Sequence, residues 1–173
     1  MSKTVKLGNR LLGGGNPILI QSMVNIKTSK IAEVVEQIKE LELAGCDVVR
    51  VSVKDEEDVK AIREIKRQIS IPFVADIHFN YKYALCAIDG GVDKIRINPG
   101  NIGGEENVKA VAKALKEYNV PVRVGSNTGS IEKEFLSKYG KSEISLVESA
   151  LKNVAILEKH GVEDIVISAK ASS

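Results

Sequence analysis

Three arginines, Arg50, Arg96 and Arg123, fall inside short apolar runs of strand length, where a charge is out of place unless it has work to do. Side chains along a strand alternate between two faces. Period two puts Arg50 with Ser52, Asp76 with His78, Arg96 with Asn98, Arg123 with Asn127, and Ser168 with Lys170. Five successive runs therefore carry polar groups on one face near their C-terminal ends. The planar fork of arginine suits bidentate binding of phosphate or carboxylate. Asp76 is the one clear carboxylate among these positions. The excess of positive charge points to an anionic ligand, one with more than one phosphoryl group. Taken singly, each residue has a plainer reading. A strand arginine is more often half of an ion pair, with Asp76 as its partner, and His78 alone suits a satisfied core histidine. Asn98 and Asn127 precede Pro99-Gly100 and Thr128-Gly129 and would suit turns. It is their common face on successive runs that favours a shared site.

The elements that must position these residues are read from periodicity. The strand-like runs are Pro17–Met23, Asp47–Val53, Pro72–His78, Lys94–Asn98, Val122–Asn127 and Asp164–Lys170. Amphipathic helical stripes separate them. Ile31, Val34, Val35, Ile38 and Leu41 form the first, stopped at Gly45. Val59, Ile62, Ile65 and Ile69 form the second, ended by Pro72. A shorter helix is expected at about Tyr81–Asp89, before Gly90-Gly91. Val108, Val111, Ala112 and Leu115 form the fourth stripe. Val147, Ala150, Leu151, Val154 and Leu157 form the last, ended by Gly161. Such alternation predicts a parallel sheet with helices outside, either doubly wound or a (β/α) barrel. Val5–Leu7 and Arg10–Leu12 flank Gly8-Asn9 and read as a β-hairpin that could plug the bottom of a barrel. Gly13-Gly14-Gly15 reads as a turn into the first strand, since the lysine and serine of a P-loop are absent. Six strands and five complete helices fall short of the eight of each in a closed TIM barrel. A chain ending at strand six would leave an exposed edge, so a fragment is expected, or a domain completed by something else.

The chain's 173 residues suffice for one domain with a core and are too few for two ordinary ones. Hydrophobic residues make up 43% and charged residues 28%, and the net charge is +2. That balance argues for a soluble globular protein and against a nucleic-acid partner. No apolar stretch is long enough to span a bilayer, and the first ten residues lack the apolar run of a signal peptide. Cys46 and Cys86 share no metal-type spacing, and are expected to be buried thiols in a reducing cytoplasm.

Several strings are far more specific than this pattern. They are Gln21-Ser22-Met23, Cys46 to Val53, Ala75-Asp76-Ile77-His78-Phe79, Lys94 to Gly103 and Ser168 to Ser172. In this order they resemble 4-hydroxy-3-methylbut-2-enyl diphosphate synthase of the bacterial type, over essentially the whole chain. The resemblance implies a substrate-binding TIM-barrel portion over residues 1–173, lacking strands seven and eight and the C-terminal iron–sulfur domain. It implies an oxidoreductase of the non-mevalonate isoprenoid route that reductively opens 2-C-methyl-D-erythritol 2,4-cyclodiphosphate. Two electrons would come through a [4Fe–4S] cluster from ferredoxin or flavodoxin, in a homodimer. Arg50, Arg96, Arg123 and Lys170 match the family's diphosphate-binding cations. Asp76, His78, Asn98 and Asn127 match polar residues around its substrate. None of them is assigned as a metal ligand, and neither cysteine corresponds to a cluster ligand, so the chain alone is expected to be inactive. Ser126 stands where the family usually has valine, and Ser173 where it often has aspartate. The barrel also looks like dihydropteroate synthase. A transferase of that kind, or a non-catalytic anion-binding module, is the competing expectation.

Overall fold

In a computed structural model the chain is an α/β fold, described here for residues 2–127 and 131–170. A two-stranded hairpin comes first, β1 (Val5–Leu7) antiparallel to β2 (Arg10–Leu12). Six parallel strands follow in sequence order: β3 (Gln21–Met23), β4 (Val48–Val53), β5 (Phe73–Ile77), β6 (Lys94–Ile97), β7 (Val122–Asn127) and β8 (Ile165–Lys170). Helices α1 (Ile31–Leu43), α2 (Glu56–Arg67), α3 (Tyr81–Asp89), α4 (Glu105–Glu117), α5 (Lys133–Tyr139) and α6 (Glu143–Lys159) connect them. The sheet is curled into a half-barrel, which decides between the two architectures that the alternation allowed. Its two edge strands are β3 and β8.

The outer face of the sheet is apolar because it carries the helices. Val49, Val51 and Val53 of β4, Phe73, Ala75 and Ile77 of β5, and Ile95 and Ile97 of β6 are essentially inaccessible to solvent. They pack with Val34, Ile38, Ile62, Ile65 and Leu115 of the helices in one core. That burial is the main driving force for the curl, at roughly 1.5–3 kcal/mol per large aliphatic side chain. The polar face is left to line the concave side.

The hairpin closes the bottom. Leu7, 1% exposed, packs with Val48 and Val74 on the concave side, and Leu19 covers them. The turn sits against the N-terminal ends of the strands. A Cβ on Gly8 (φ +57°) would meet Asp93 Oδ1 at 2.9 Å and Pro72 Cγ at 3.4 Å. These residues directly precede β6 and β5, so the small turn residue is needed for close approach as well as for its left-handed backbone.

Four expectations need correction. The strand expected over Pro17–Met23 pairs only at Gln21–Met23, and Ile18 is 94% exposed. Proline offers no N–H to a ladder, and the Ile20 carbonyl is taken by the Asp47 and Val48 amides ahead of the strand. A sixth helix, α5, lies in what was read as a connection. The stripe expected on α6 is rotated, with Val147 and Leu151 about half exposed. Its buried face instead combines Leu146, Ala150, Val154 and Leu157 with a polar column, Ser145, Ser149 and Asn153. That column has partners in the loop before the helix and across the fold. Ser145 Oγ donates to the Gly140 carbonyl at 2.5 Å, and Asn153 Oδ1 accepts from the Gly100 amide at 3.3 Å. Cys46 is buried as expected, but Cys86 is exposed, on the outward side of α3.

Candidate anion site

The strand register stacks the concave side chains in rows. Arg50 is level with Val74, which is level with Lys94. One row nearer the C-terminal ends, Ser52, Asp76, Arg96 and Arg123 are level across four strands. Asp76 is the centre of this row, with its side chain 6% exposed. Its Oδ1 accepts from Arg96 Nη1 at 3.2 Å, and its Oδ2 lies 3.8 Å from Arg50 Nε. His78 Nε2 is 3.9 Å from the same Oδ2, at the rim. Arg123 donates to Ser168 Oγ at 2.5 Å, which ties β7 to β8.

One carboxylate cannot satisfy these cations. Both Arg50 and Arg96 side chains are 18% exposed, so solvent does little for them. Arg50 Nε is buried with no hydrogen-bond partner, which is costly for a charged donor. Burial, then Arg50 and Arg96 beside it, push the Arg123 guanidinium below its ordinary range. An array of crowded, under-neutralised cations on a concave face is the electrostatic complement of a bound polyanion.

The remaining residues expected at the site fall around this centre. Asn98 is buried just past β6, and its Oδ1 accepts from the Gly100 amide at 3.0 Å. It thus shapes the turn that follows the strand, with Asn153 on the same amide. Lys170 lies exposed at the end of β8, two residues beyond Ser168 and level with Asn127. The side chain of Asn127 lies outside the described residues, as do Thr128 and Gly129. Clefts flank the cluster at the rim. One of about 670 Å³ is lined by Met23, Asn25, Lys27, Ser52, Lys54 and Asp58. Another of about 370 Å³ is lined by Lys54, His78, Phe79 and Tyr83.

Two residues of the site were not singled out from sequence. Lys94, 4% exposed, occupies the floor, and period two from Arg96 would have found it. Gly125 lies on the concave side of β7, where a Cβ would stand 2.9 Å from Arg96 Nη2 and 3.0 Å from its Nε. Its lack of a side chain makes room for the Arg96 guanidinium.

Among the described residues no group of three or more His, Cys, Asp and Glu is placed to hold a metal ion. The buried Cys46 and the outward Cys86 do not fit the thiolate set of a [4Fe–4S] cluster. No described helix is long and apolar enough to cross a membrane.

Comparison with known proteins places this geometry in context. A family profile described as the GcpE TIM-barrel domain matches residues 2–173. A 4-hydroxy-3-methylbut-2-en-1-yl diphosphate synthase (flavodoxin) of Caldanaerobacter subterraneus subsp. tengcongensis is 55% identical over 174 residues, covering 100% of this chain and 49% of the relative. One of the same name from Sulfurimonas denitrificans is 56% identical, over 99% of this chain and 48% of its own length. The chain thus spans about half the length of the curated relatives it matches. Among solved structures, dihydropteroate synthase of Yersinia pestis superposes with a TM-score of 0.69 at 10% identity, over 95% of this chain and 61% of that one. The enzyme of Vibrio fischeri ES114 gives 0.65 at 14%, over 96% and 66%. At such identity the likeness is one of fold.

Proposed function

From the premise that this chain belongs to the GcpE TIM-barrel domain family, we propose that its concave face binds 2-C-methyl-D-erythritol 2,4-cyclodiphosphate for reductive opening to 4-hydroxy-3-methylbut-2-enyl diphosphate. The relatives are named for the synthase making this product. The observation that carries the reading is the crowding of three guanidiniums around one carboxylate: Arg50 and Arg96 on Asp76, with Arg123 beside them and tied to Ser168.

The chemistry of the ligand fits that charge. Each phosphoryl group of the cyclic diphosphate is doubly substituted and carries one negative charge. Opening breaks the bond from ring carbon to phosphate oxygen, and the freed oxygen gains a further charge. Fixed guanidiniums on rigid strands cost no reorganisation as that charge develops. Asp76 keeps Arg50 and Arg96 aimed, and Ser168 does so for Arg123. Lys170, His78, Asn98 and Asn127 would complete the contacts around the ligand and orient its carbon skeleton. The two electrons belong to iron–sulfur chemistry, which this chain's residues do not fit. Its part is to bind, orient and stabilise charge. The relatives' name supports flavodoxin as donor. A homodimer, with the cluster domain of one subunit over the barrel of the other, and a cytoplasmic site complete the reading.

Calorimetric titration of the cyclodiphosphate into the chain tests it. One saturable site is expected, with binding lost or severely weakened in Arg96→Ala. Absence of saturable heat at neutral pH would overturn the proposal. A dihydropteroate-synthase-like transferase is supported by fold alone.

A further inference from the structure

Lys94 is a buried cation with no described counter-charge. It is 4% exposed on the concave side of β6, level with Val74 and Arg50 and one row beneath Arg96. Its side chain crosses the barrel floor to β3, where Nζ lies 3.5 Å from Gln21 Oε1, a neutral and long contact. The neighbouring elements supply few charges to balance it. On β4 the inward charge is Arg50, and on β7 it is Arg123. On β6 itself it is Arg96, and on β5 it is Asp76, already engaged by two arginines. The hairpin's Lys6 and Arg10 are exposed, and β8 presents Ser168 and the rim residue Lys170. Beside and beneath Lys94 is the apolar plug, with Val74 level with it and Leu7 and Val48 packed against Val74. A lysine held between that plug and a row of arginines is tolerable only if it can shed its proton or if an anion arrives above it.

We propose that Lys94 is a further cation of the anion site, and that ligand binding is coupled to its protonation. The inference rests on the anion-binding reading above. Burial first, then Arg123 and Arg50, lower the Lys94 pKa to about 8. A bound dianion offsets the two arginines and favours the ammonium, so the pKa rises on binding. The sign follows from linkage. Binding is at full strength below the free pKa, and weakens as pH rises through it toward the bound value. The cyclic diphosphate has no titrating oxygen over this range, so the pH dependence belongs to the protein.

Calorimetry with the cyclodiphosphate from pH 7 to pH 9.5, in two buffers of different ionisation enthalpy, is the test. Wild type should take up about half a proton on binding at pH 8 and bind roughly tenfold weaker at pH 9 than at pH 7. Lys94→Met, an apolar replacement of similar length, should bind more weakly at pH 7, without proton uptake or slope. Lys94→Arg, which does not titrate, should show no slope either. Binding at pH 7 with no proton uptake, or with the same slope in Lys94→Met, would overturn the role of Lys94 and leave the arginine site standing. No saturable binding at pH 7 would remove both readings.

Discussion

At the scale of single residues, what separates functional from decorative charge is whether a partner and solvent are at hand. Arg63 on α2 has both. It is 55% exposed and pairs with Asp89 at 2.5 Å, a surface pair of the kind worth little. Arg96 shares one buried carboxylate with Arg50. Arg96→Ala should therefore cost roughly 1.5–3 kcal/mol of ligand binding, the strength of a charge-assisted bond, whereas Arg63→Ala should leave binding within about twofold. Equal losses in calorimetry would contradict this. Lys94 offers the converse test on stability. A lysine whose folded pKa is depressed opposes folding while charged. That penalty is full below about pH 8 and disappears as pH rises toward the ordinary lysine value. Lys94→Met should accordingly stabilise the ligand-free protein at pH 7, by something on the order of 3 kcal/mol in urea unfolding, while weakening binding. These positions were legible in the sequence to different degrees. An arginine in an apolar run announces itself, so Arg50, Arg96 and Arg123 were found by period two. Lys94 opens its strand, where a lysine looks like a solvated end, and only the plug beneath it makes it a buried one.

At the scale of elements, the site depends on register more than on composition. Parallel pairing sets Asp76 level with Arg96 and Arg96 level with Arg123, and one slip would turn every guanidinium to the helix side. Within β7 the concave position after Arg123 must be small. Gly125→Ala should fold, because the nearest atoms are the far end of the flexible Arg96 side chain. It should nevertheless displace that guanidinium from Asp76 and weaken binding by about tenfold, ~1.4 kcal/mol. Wild-type affinity in Gly125→Ala would show that Arg96 needs no such cradle. Strand and helix existence could be read from apolar periodicity, because burial on the outer face enforces it. The rotation of α6 could not. Its buried face carries Ser145, Ser149 and Asn153, and polar residues read as surface until their partners, such as the carbonyl of Gly140 and the amide of Gly100, are brought in by the fold. The short α5 escaped for a related reason, since no residue of it is buried and no apolar stripe marks it.

At the scale of the whole molecule, the hairpin and the half-barrel act as one unit. The plug gives the concave face a dry floor, with Arg50 level with its Val74 and Arg96 and Arg123 one row higher. Leu7→Ala should cost about 2–5 kcal/mol of stability, as a large-to-small change at a fully buried position. It should also let water to Lys94 and move that group's titration upward. A loss of less than about 1 kcal/mol in urea unfolding would mean that the hairpin is an appendage. The six strands in sequence order and the plug were readable from the chain. The shared carboxylate and the crowding around it were not, because they arise between strands far apart in sequence. The central claim is that the concave cations exist to hold a diphosphate, and a crystal structure with the cyclodiphosphate bound tests it most directly. Both phosphoryl groups should lie within hydrogen-bond distance of the guanidiniums of Arg50, Arg96 and Arg123, above Lys94. A ligand seated elsewhere on the chain, with these arginines still turned to Asp76 and Ser168 alone, would contradict it.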